Sequence, residues 1–119
     1  MMTYEEFRES MESFRKAADV EAAARKDPQL ALDRMYALYK KFDEPEREMA
    51  DRVLIEWSLS ADIGKRFDAL AIVDEFMVLD AIPALRALAG RLERSTDPGA
   101  LYELKKVFRV LSALRVAAR

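Results

Sequence analysis

The sequence holds few side chains that could do acid–base or nucleophilic chemistry at neutral pH. It contains no histidine and no cysteine, the residue types most often used as general bases and covalent nucleophiles. The carboxylates closest in spacing to a catalytic or magnesium-binding pair are Asp68, Asp74 and Glu75. On a helix, Asp68 and Glu75 would share one face. Such carboxylates are usually solvated or ion-paired, so we predict no catalytic residue, no metal ligand and no cofactor.

The elements that must position any functional side chain are predicted to be the helices of one domain, residues 1–119. Hydrophobic residues make up 51% and charged residues 35% of the chain, with three glycines and four prolines, a composition typical of a helical globular protein. No stretch approaches the ~18 apolar residues of a membrane span, and the first residues lack a secretory signal. We therefore predict a cytoplasmic protein that does not contact membranes.

Apolar residues recur at helical spacing, which predicts five to six helices and no strand. Thr3 and Glu6 predict a capping box at the start of the first helix. The apolar side chains of that helix form a narrow stripe, made of Tyr4, Phe7, Met11, Phe14 and Ala18. Asp27, followed by Pro28, and Asp43 are the predicted caps of the next two helices.

Three features of the second half of the chain predict how its helices begin and pack. The segment from Arg66 is apolar nearly all round, which predicts a helix buried on several sides. Asp80 is the predicted N-cap of the next helix, with Pro83 in its first turn. Gly90 inside that helix costs ~1 kcal/mol relative to alanine unless another helix approaches closely. The buried face of the last helix is predicted to comprise Leu101, Leu104, Val107, Phe108, Leu111 and Leu114.

Charge is distributed unevenly along the chain, although the formal net charge is only −2. Residues 1–82 carry 12 Lys or Arg against 19 Asp or Glu, whereas residues 83–119 carry 8 against 3. An acidic part and a basic part of this kind would steer a charged partner. The alternative is that both kinds of charge merely solvate helical surfaces.

The segment Arg66–Glu93 resembles the inner helix of one HEAT-type repeat followed by the outer helix of the next. The matching residues are Ala69, Leu70, Ile72, Leu79, Asp80, Ala81, Ile82, Pro83, Leu85, Leu88 and Leu92. The resemblance implies an all-α fold in which five to six helices form a short antiparallel stack that binds another protein. An orthogonal helix bundle is the alternative architecture, because the same spacing occurs in any helical bundle.

The size, acidity and predicted helical fold of the chain also resemble those of small bacterial immunity proteins, which bind and block a toxin. This resemblance implies a non-enzymatic protein-binding module whose partner is another protein, such as a basic toxin domain. Charge complementarity then predicts an acidic partner-binding surface. Its candidate residues are Glu44, Glu46, Glu48, Asp51, Asp68 and Glu75. A homodimer through the narrow stripe of the first helix is also left open.

Nucleic acid is the alternative partner, through the basic side of the last helix. The residues that would contact phosphates there are Lys105, Lys106, Arg109, Arg115 and Arg119. The sequence pI of about 5.3 and the larger acidic part argue against this alternative, because they would repel a polyanion.

Overall fold

All regular secondary structure in the described part of the chain is helical. A computed structural model describes residues 2–119 and contains six α-helices and no strand in that range. The helices are α1 (Tyr4–Ala24), α2 (Pro28–Lys41), α3 (Glu44–Ser58), α4 (Ile63–Phe76), α5 (Ile82–Arg94) and α6 (Ala100–Ala117). The predicted all-α class and number of helices are confirmed, whereas the HEAT-like stack and the orthogonal bundle stay predictions.

The six helices are divided between two units. The first unit ends at Val53 and contains α1, α2 and the first part of α3. The second unit, Leu54–Arg119, contains the rest of α3 together with α4, α5 and α6. The predicted single domain therefore requires that two units unfold cooperatively.

A single domain predicts that both units unfold in one transition. Trp57, the one tryptophan of the sequence, is buried and belongs to the second unit, so its fluorescence reports on that unit. Far-UV circular dichroism reports on all the helices. We expect both signals to give the same midpoint in a urea titration, and a further transition seen by circular dichroism alone would contradict the prediction.

In the first unit, α1 packs against α2. Phe7, Met11 and Ala18 of the predicted stripe are buried, whereas Tyr4 and Phe14 are half-buried. The stripe is therefore the inward side of α1, as its spacing predicted. Phe7, Met11 and Ala18 are covered within the chain, whereas Tyr4 and Phe14 are only partly covered, and the homodimer through this stripe stays a prediction.

Two capping boxes begin helices in the first unit. At α1, the backbone N–H of Glu6 donates to Oγ1 of Thr3 at 3.1 Å, and that of Thr3 donates to Oε1 of Glu6 at 2.9 Å. The hydrogen bond that the Glu6 carboxylate accepts from the backbone N–H of Thr3 is the main cause that holds the pKa of Glu6 below its usual value. At α3, Asp43 and Glu46 make the same reciprocal pair at 2.9 and 3.0 Å. The predicted capping box at Thr3 and the predicted cap at Asp43 are confirmed. Asp27 lies at the N-cap of α2 with Pro28 in the first turn, as predicted, but its side chain makes no capping hydrogen bond.

In the second unit, α4 is buried over part of its circumference and exposed along one side, so the predicted burial is wrong at Phe67. Its buried residues are Ala69, Leu70, Ile72 and Val73. Ile63 and Phe67 are 63% and 52% exposed. Residues four apart are neighbours on a helix surface, so these two form an apolar stripe that the sequence pattern did not separate from the buried one.

The turn before α5 differs from the predicted cap. Residues Leu79–Ala81 form a 3₁₀ turn, so Ala81 rather than Asp80 takes the N-cap position, and no side chain caps α5. Pro83 lies in the first turn, as predicted. A proline there removes no intrahelical hydrogen bond, because the first N–H groups of a helix have no partner within it.

One side of α6 differs from its predicted buried face. The residues that are buried are Ala100, Leu104, Val107, Val110, Leu111 and Leu114. Leu101 and Phe108 are 65% and 46% exposed, so their predicted burial is wrong. They follow Ala100 and Val107 directly and therefore lie about 100° round the helix from them, outside the buried face.

Replacing Gly90 by alanine is expected to stabilise the protein by about 1 kcal/mol. Gly90 lies inside α5, and a Cβ added to it would meet Nη1 of Arg94 at 3.5 Å, an ordinary van der Waals distance. Gly99→Ala is the control, because Gly99 is the N-cap of α6, where alanine is not favoured over glycine. Urea titrations measure both; a loss of stability on Gly90→Ala would contradict the expectation.

Candidate functional site

A groove of about 230 Å³ lies between α4 and α6 of the second unit. The residues that line it are Ile63, Arg66, Phe67, Leu70, Gly99, Tyr102, Glu103 and Lys106. Four of these side chains are large and apolar or aromatic, and three are charged. We call this feature the α4–α6 groove.

The start of α4 sets the α4 wall of the groove. Oδ1 of Asp62 accepts hydrogen bonds from the backbone N–H groups of Gly64 at 2.8 Å and Lys65 at 3.3 Å. This N-cap begins the helix at a fixed residue. Positions three and four residues apart then share one side, so Ile63 and Phe67 lie together with Arg66 between α4 and α6.

The rim of the groove exposes more apolar surface than an isolated hydrophobic residue would. Phe67 is 52% exposed on the α4 side, and Tyr102 is 69% exposed on the α6 side. Ile63, at the end of the same rim, is 63% exposed. Clustered apolar exposure marks interaction sites, whereas single exposed residues are common on any protein.

An ion pair between Arg66 and Glu103 joins the two walls. Nε of Arg66 donates to Oε2 of Glu103 at 2.8 Å and Nη2 donates to Oε1 at 3.0 Å, a bidentate arrangement. The two side chains are 16% and 15% exposed. The hydrogen bonds with Glu103 raise the pKa of Arg66 above its usual value. Nη1 of Arg66 also donates to the carbonyls of Ser60 and Ala61, so one guanidinium ties α6, α4 and the preceding loop together.

Lys106 lies over both aromatic rings of the groove. Its ammonium is 5.2 Å from the ring centroid of Phe67 and 4.6 Å from that of Tyr102, which are cation–π distances. Of the described residues that line the groove, only Glu103 is acidic, and Arg66 already holds its carboxylate. Lys106 therefore gives the groove a positive charge that no groove carboxylate neutralises.

The exposed face of α6 continues this combination of apolar and basic side chains. Its residues are Leu101, Tyr102, Lys105, Phe108, Arg109, Ser112, Arg115 and Val116. No acidic residue lies on this face within the part of the chain that the structure describes. The surface beside the α4–α6 groove is thus both apolar and positive.

Four of the predicted partner-binding carboxylates lie in the first unit, near the start of α3. Glu46 completes the capping box described above, and Oδ1 of Asp51 accepts a hydrogen bond from the hydroxyl of Tyr39 at 2.9 Å. Glu44 and Glu48 are exposed. Two of the four thus have structural partners, while Glu44 and Glu48 face solvent.

The other two predicted carboxylates lie on α4 of the second unit. Asp68 is half-buried and Glu75 is exposed. Neither is among the residues of the α4–α6 groove. No group of three or more acidic side chains among residues 2–119 is arranged to hold a metal ion.

Sequence reasoning assigned most of the groove to other roles. The sequence pattern predicts no role for Tyr102, burial for Phe67 within an apolar helix, and a phosphate contact for Lys106. The one sequence signal for the groove is the four-residue spacing of Ile63 and Phe67, which places them on one side of α4 next to Arg66. This spacing does not show that they are exposed, because their exposure depends on where α6 packs. Of the predicted basic residues, Lys106 is half-buried and the others, Lys105, Arg109, Arg115 and Arg119, are exposed.

The fold and the groove define an all-α protein that exposes an apolar, basic surface on one unit. Every helix among residues 2–119 is too short or too polar to span a lipid bilayer. Comparisons with protein-family models, curated proteins and solved structures found no match to the chain. The resemblances to HEAT repeats and to immunity proteins therefore stay predictions.

Proposed function

We propose that this chain is a non-enzymatic protein-binding module and that its partner binds over the α4–α6 groove. The observation that carries the proposal is the pair of exposed rings, Phe67 and Tyr102, facing one groove with Lys106 over both. Aromatic side chains dominate the energetics of protein interfaces, because each buries on the order of 150–250 Å².

The framework beneath these rings supports the proposal. The bidentate pair of Arg66 and Glu103 holds α4 to α6 at a fixed separation. A preformed site loses less conformational entropy when a partner binds, so more of the contact energy appears as affinity. The proposed mechanism is coverage of the partner's surface, with no chemical step.

Protection against a toxin is an alternative form of the protein-binding proposal, in which the partner contacts the first unit instead of the α4–α6 groove. It is supported by the size and acidity of the chain and by the exposed Glu44 and Glu48, which would meet a basic toxin surface. Co-expression with a toxin encoded by a neighbouring gene tests it. We expect the unaltered chain to rescue growth and the double variant Glu44→Lys with Glu48→Lys to fail to do so. Absence of rescue by the unaltered chain would contradict the toxin form.

Photo-crosslinking tests the protein-binding proposal directly. A photoreactive phenylalanine analogue replaces Tyr102 in one variant and Val20, which is 66% exposed on α1, in the matched control. Crosslinking is performed in cells that carry the gene, and mass spectrometry identifies the products. We expect one defined protein at position 102 and not at position 20; no protein specific to position 102 would overturn the proposal.

A second candidate function is association with single-stranded nucleic acid through the exposed face of α6. Lys105 and Arg109 would contact phosphates, and the exposed rings of Tyr102 and Phe108 would stack on bases. For this candidate we expect the chain to retain RNA and the retention to fall steeply as the salt concentration rises. We expect the double variant Lys105→Glu with Lys106→Glu to retain none. The same retention by the charge-reversed variant would exclude it.

A further inference from the structure

We infer that the occupant of the α4–α6 groove is an acidic, amphipathic segment of another protein. One large apolar side chain of that segment enters between Phe67 and Tyr102, and carboxylates beside it meet Lys106 and the basic residues of the exposed face of α6. The inference rests on the proposed protein-binding function and adds the chemistry of the segment that is bound.

The size of the groove favours an anchoring side chain over a free small molecule. Its volume of about 230 Å³ falls below the ~300–1,000 Å³ typical of sites that enclose drug-sized ligands. Its rim residues Ile63 and Tyr102 are mostly exposed, so a ligand would be covered on one side only. A single apolar side chain carried by a larger partner fits both facts.

The charge of the groove selects the residues that flank the anchor. Glu103 is held by Arg66 at 2.8 and 3.0 Å, so these two charges compensate each other. Lys106 remains, half-buried against two rings. A neutral partner would remove water from its ammonium without replacing the lost hydrogen bonds, which is unfavourable. A carboxylate replaces them with a charge-assisted hydrogen bond.

The surroundings extend this preference beyond one contact. Lys105, Arg109 and Arg115 lie on the exposed face of α6, where the described residues include no acid. Leu101 and Phe108 lie among them and are exposed. A segment with acidic and apolar residues on one side complements this face in both charge and polarity, whereas a basic segment would be repelled.

Selection from a random peptide library tests the inference with a defined probe. Phage displaying random 14-residue peptides are selected on the full chain, and the same library is selected on the Tyr102→Ser variant as a counter-selection. We expect the peptides specific to the unaltered chain to combine an aromatic or large aliphatic residue with net negative charge. Enriched peptides that are neutral or basic, or no enrichment, would overturn the inference.

Charge-reversed variants then locate the contact. Fluorescence anisotropy measures the Kd of one enriched synthetic peptide for the unaltered chain, for Lys106→Glu and for Lys41→Glu, an exposed lysine at the end of α2. We expect Lys106→Glu to weaken binding by about tenfold or more and Lys41→Glu to have little effect. Equal losses would indicate a general charge effect and would overturn the inference.

Two further measurements keep the outcomes distinct. Lys106→Met, which removes the charge without reversing it, is expected to weaken binding less than Lys106→Glu; circular dichroism confirms that both variants keep their helices. Tighter binding of a single-stranded RNA 20-mer than of any selected peptide would favour nucleic acid and overturn the inference. If no acidic peptide is enriched while crosslinking at position 102 still captures a protein, the protein-binding proposal stands. The inference that the bound segment is acidic is then wrong.

Discussion

Replacing Leu85 by alanine is expected to lower the free energy of unfolding by about 2–5 kcal/mol. Leu85 lies in α5, which packs against α6, and its side chain is 0% exposed. The substitution removes buried methyl groups and leaves a cavity, because a close-packed interior relaxes only partly around the missing volume. A urea titration followed by the fluorescence of Trp57 reports the loss within the same unit.

Leu101→Ala is the matched control for this prediction. It is the same chemical change in the same unit, at a side chain that is 65% exposed. Surface substitutions of this kind change stability by less than ~0.5 kcal/mol. Comparable losses for the two variants would contradict the assignment of Leu85 to the interior and Leu101 to the surface.

Replacing Glu103 by leucine is expected to cost about 1–3 kcal/mol of stability. The change leaves Nε and Nη2 of Arg66 without their acceptors, at a site where the arginine side chain is only 16% exposed. Removing one partner of a buried ion pair is more costly than removing both, because the remaining charge stays desolvated. The urea midpoint again measures the loss.

A double-mutant cycle separates this ion pair from other effects of the substitution. Arg66→Met combined with Glu103→Leu should be less destabilising than the sum of the single variants, by about 1–2 kcal/mol. The comparison pair is Glu21 with Arg34, which has the same 2.8 Å contact but side chains 37% and 47% exposed. Glu21→Leu should change stability little. Equal costs at the two glutamates would contradict the role given to burial.

Local signals predicted the helices and their starts. The capping boxes of Thr3 with Glu6 and of Asp43 with Glu46 join residues three apart. Their geometry depends only on the first turn of a helix, which the sequence specifies directly. The cap proposed at Asp80 was wrong because a 3₁₀ turn places Ala81 at the N-cap instead, and the spacing of Pro83 fits both arrangements.

The candidate site was beyond prediction because it depends on long-range contacts. Arg66 and Glu103 are 37 residues apart, and no local pattern connects them. Leu101 and Phe108 share the heptad spacing of buried residues, and only the direction in which α6 packs decides which side is exposed. Exposure of Phe67 depends on the same choice. Tertiary packing thus determines the groove, while periodicity determines only the helices that form it.

The composition of the chain favours acidic residues as the partner-binding surface, because acidic side chains predominate in residues 1–82. Composition shows charge but not the partners of each charge within the fold. Glu46 caps α3 and Asp51 accepts a hydrogen bond from Tyr39, so both have structural roles that the net charge does not reveal. Glu44 and Glu48 are exposed. They form a second candidate binding surface, which variants can compare directly with the α4–α6 groove.

The affinity of the crosslinked partner for three variants is the most direct measurement of the central claim. Isothermal titration compares Tyr102→Ser, Val20→Ser and the double variant Glu44→Lys with Glu48→Lys against the unaltered chain. If the partner binds over the α4–α6 groove, Tyr102→Ser raises the Kd by about tenfold or more, as expected for an aromatic anchor, and Val20→Ser leaves it unchanged. An unchanged Kd for Tyr102→Ser, with the loss confined to the glutamate variant, would contradict the groove as the binding site.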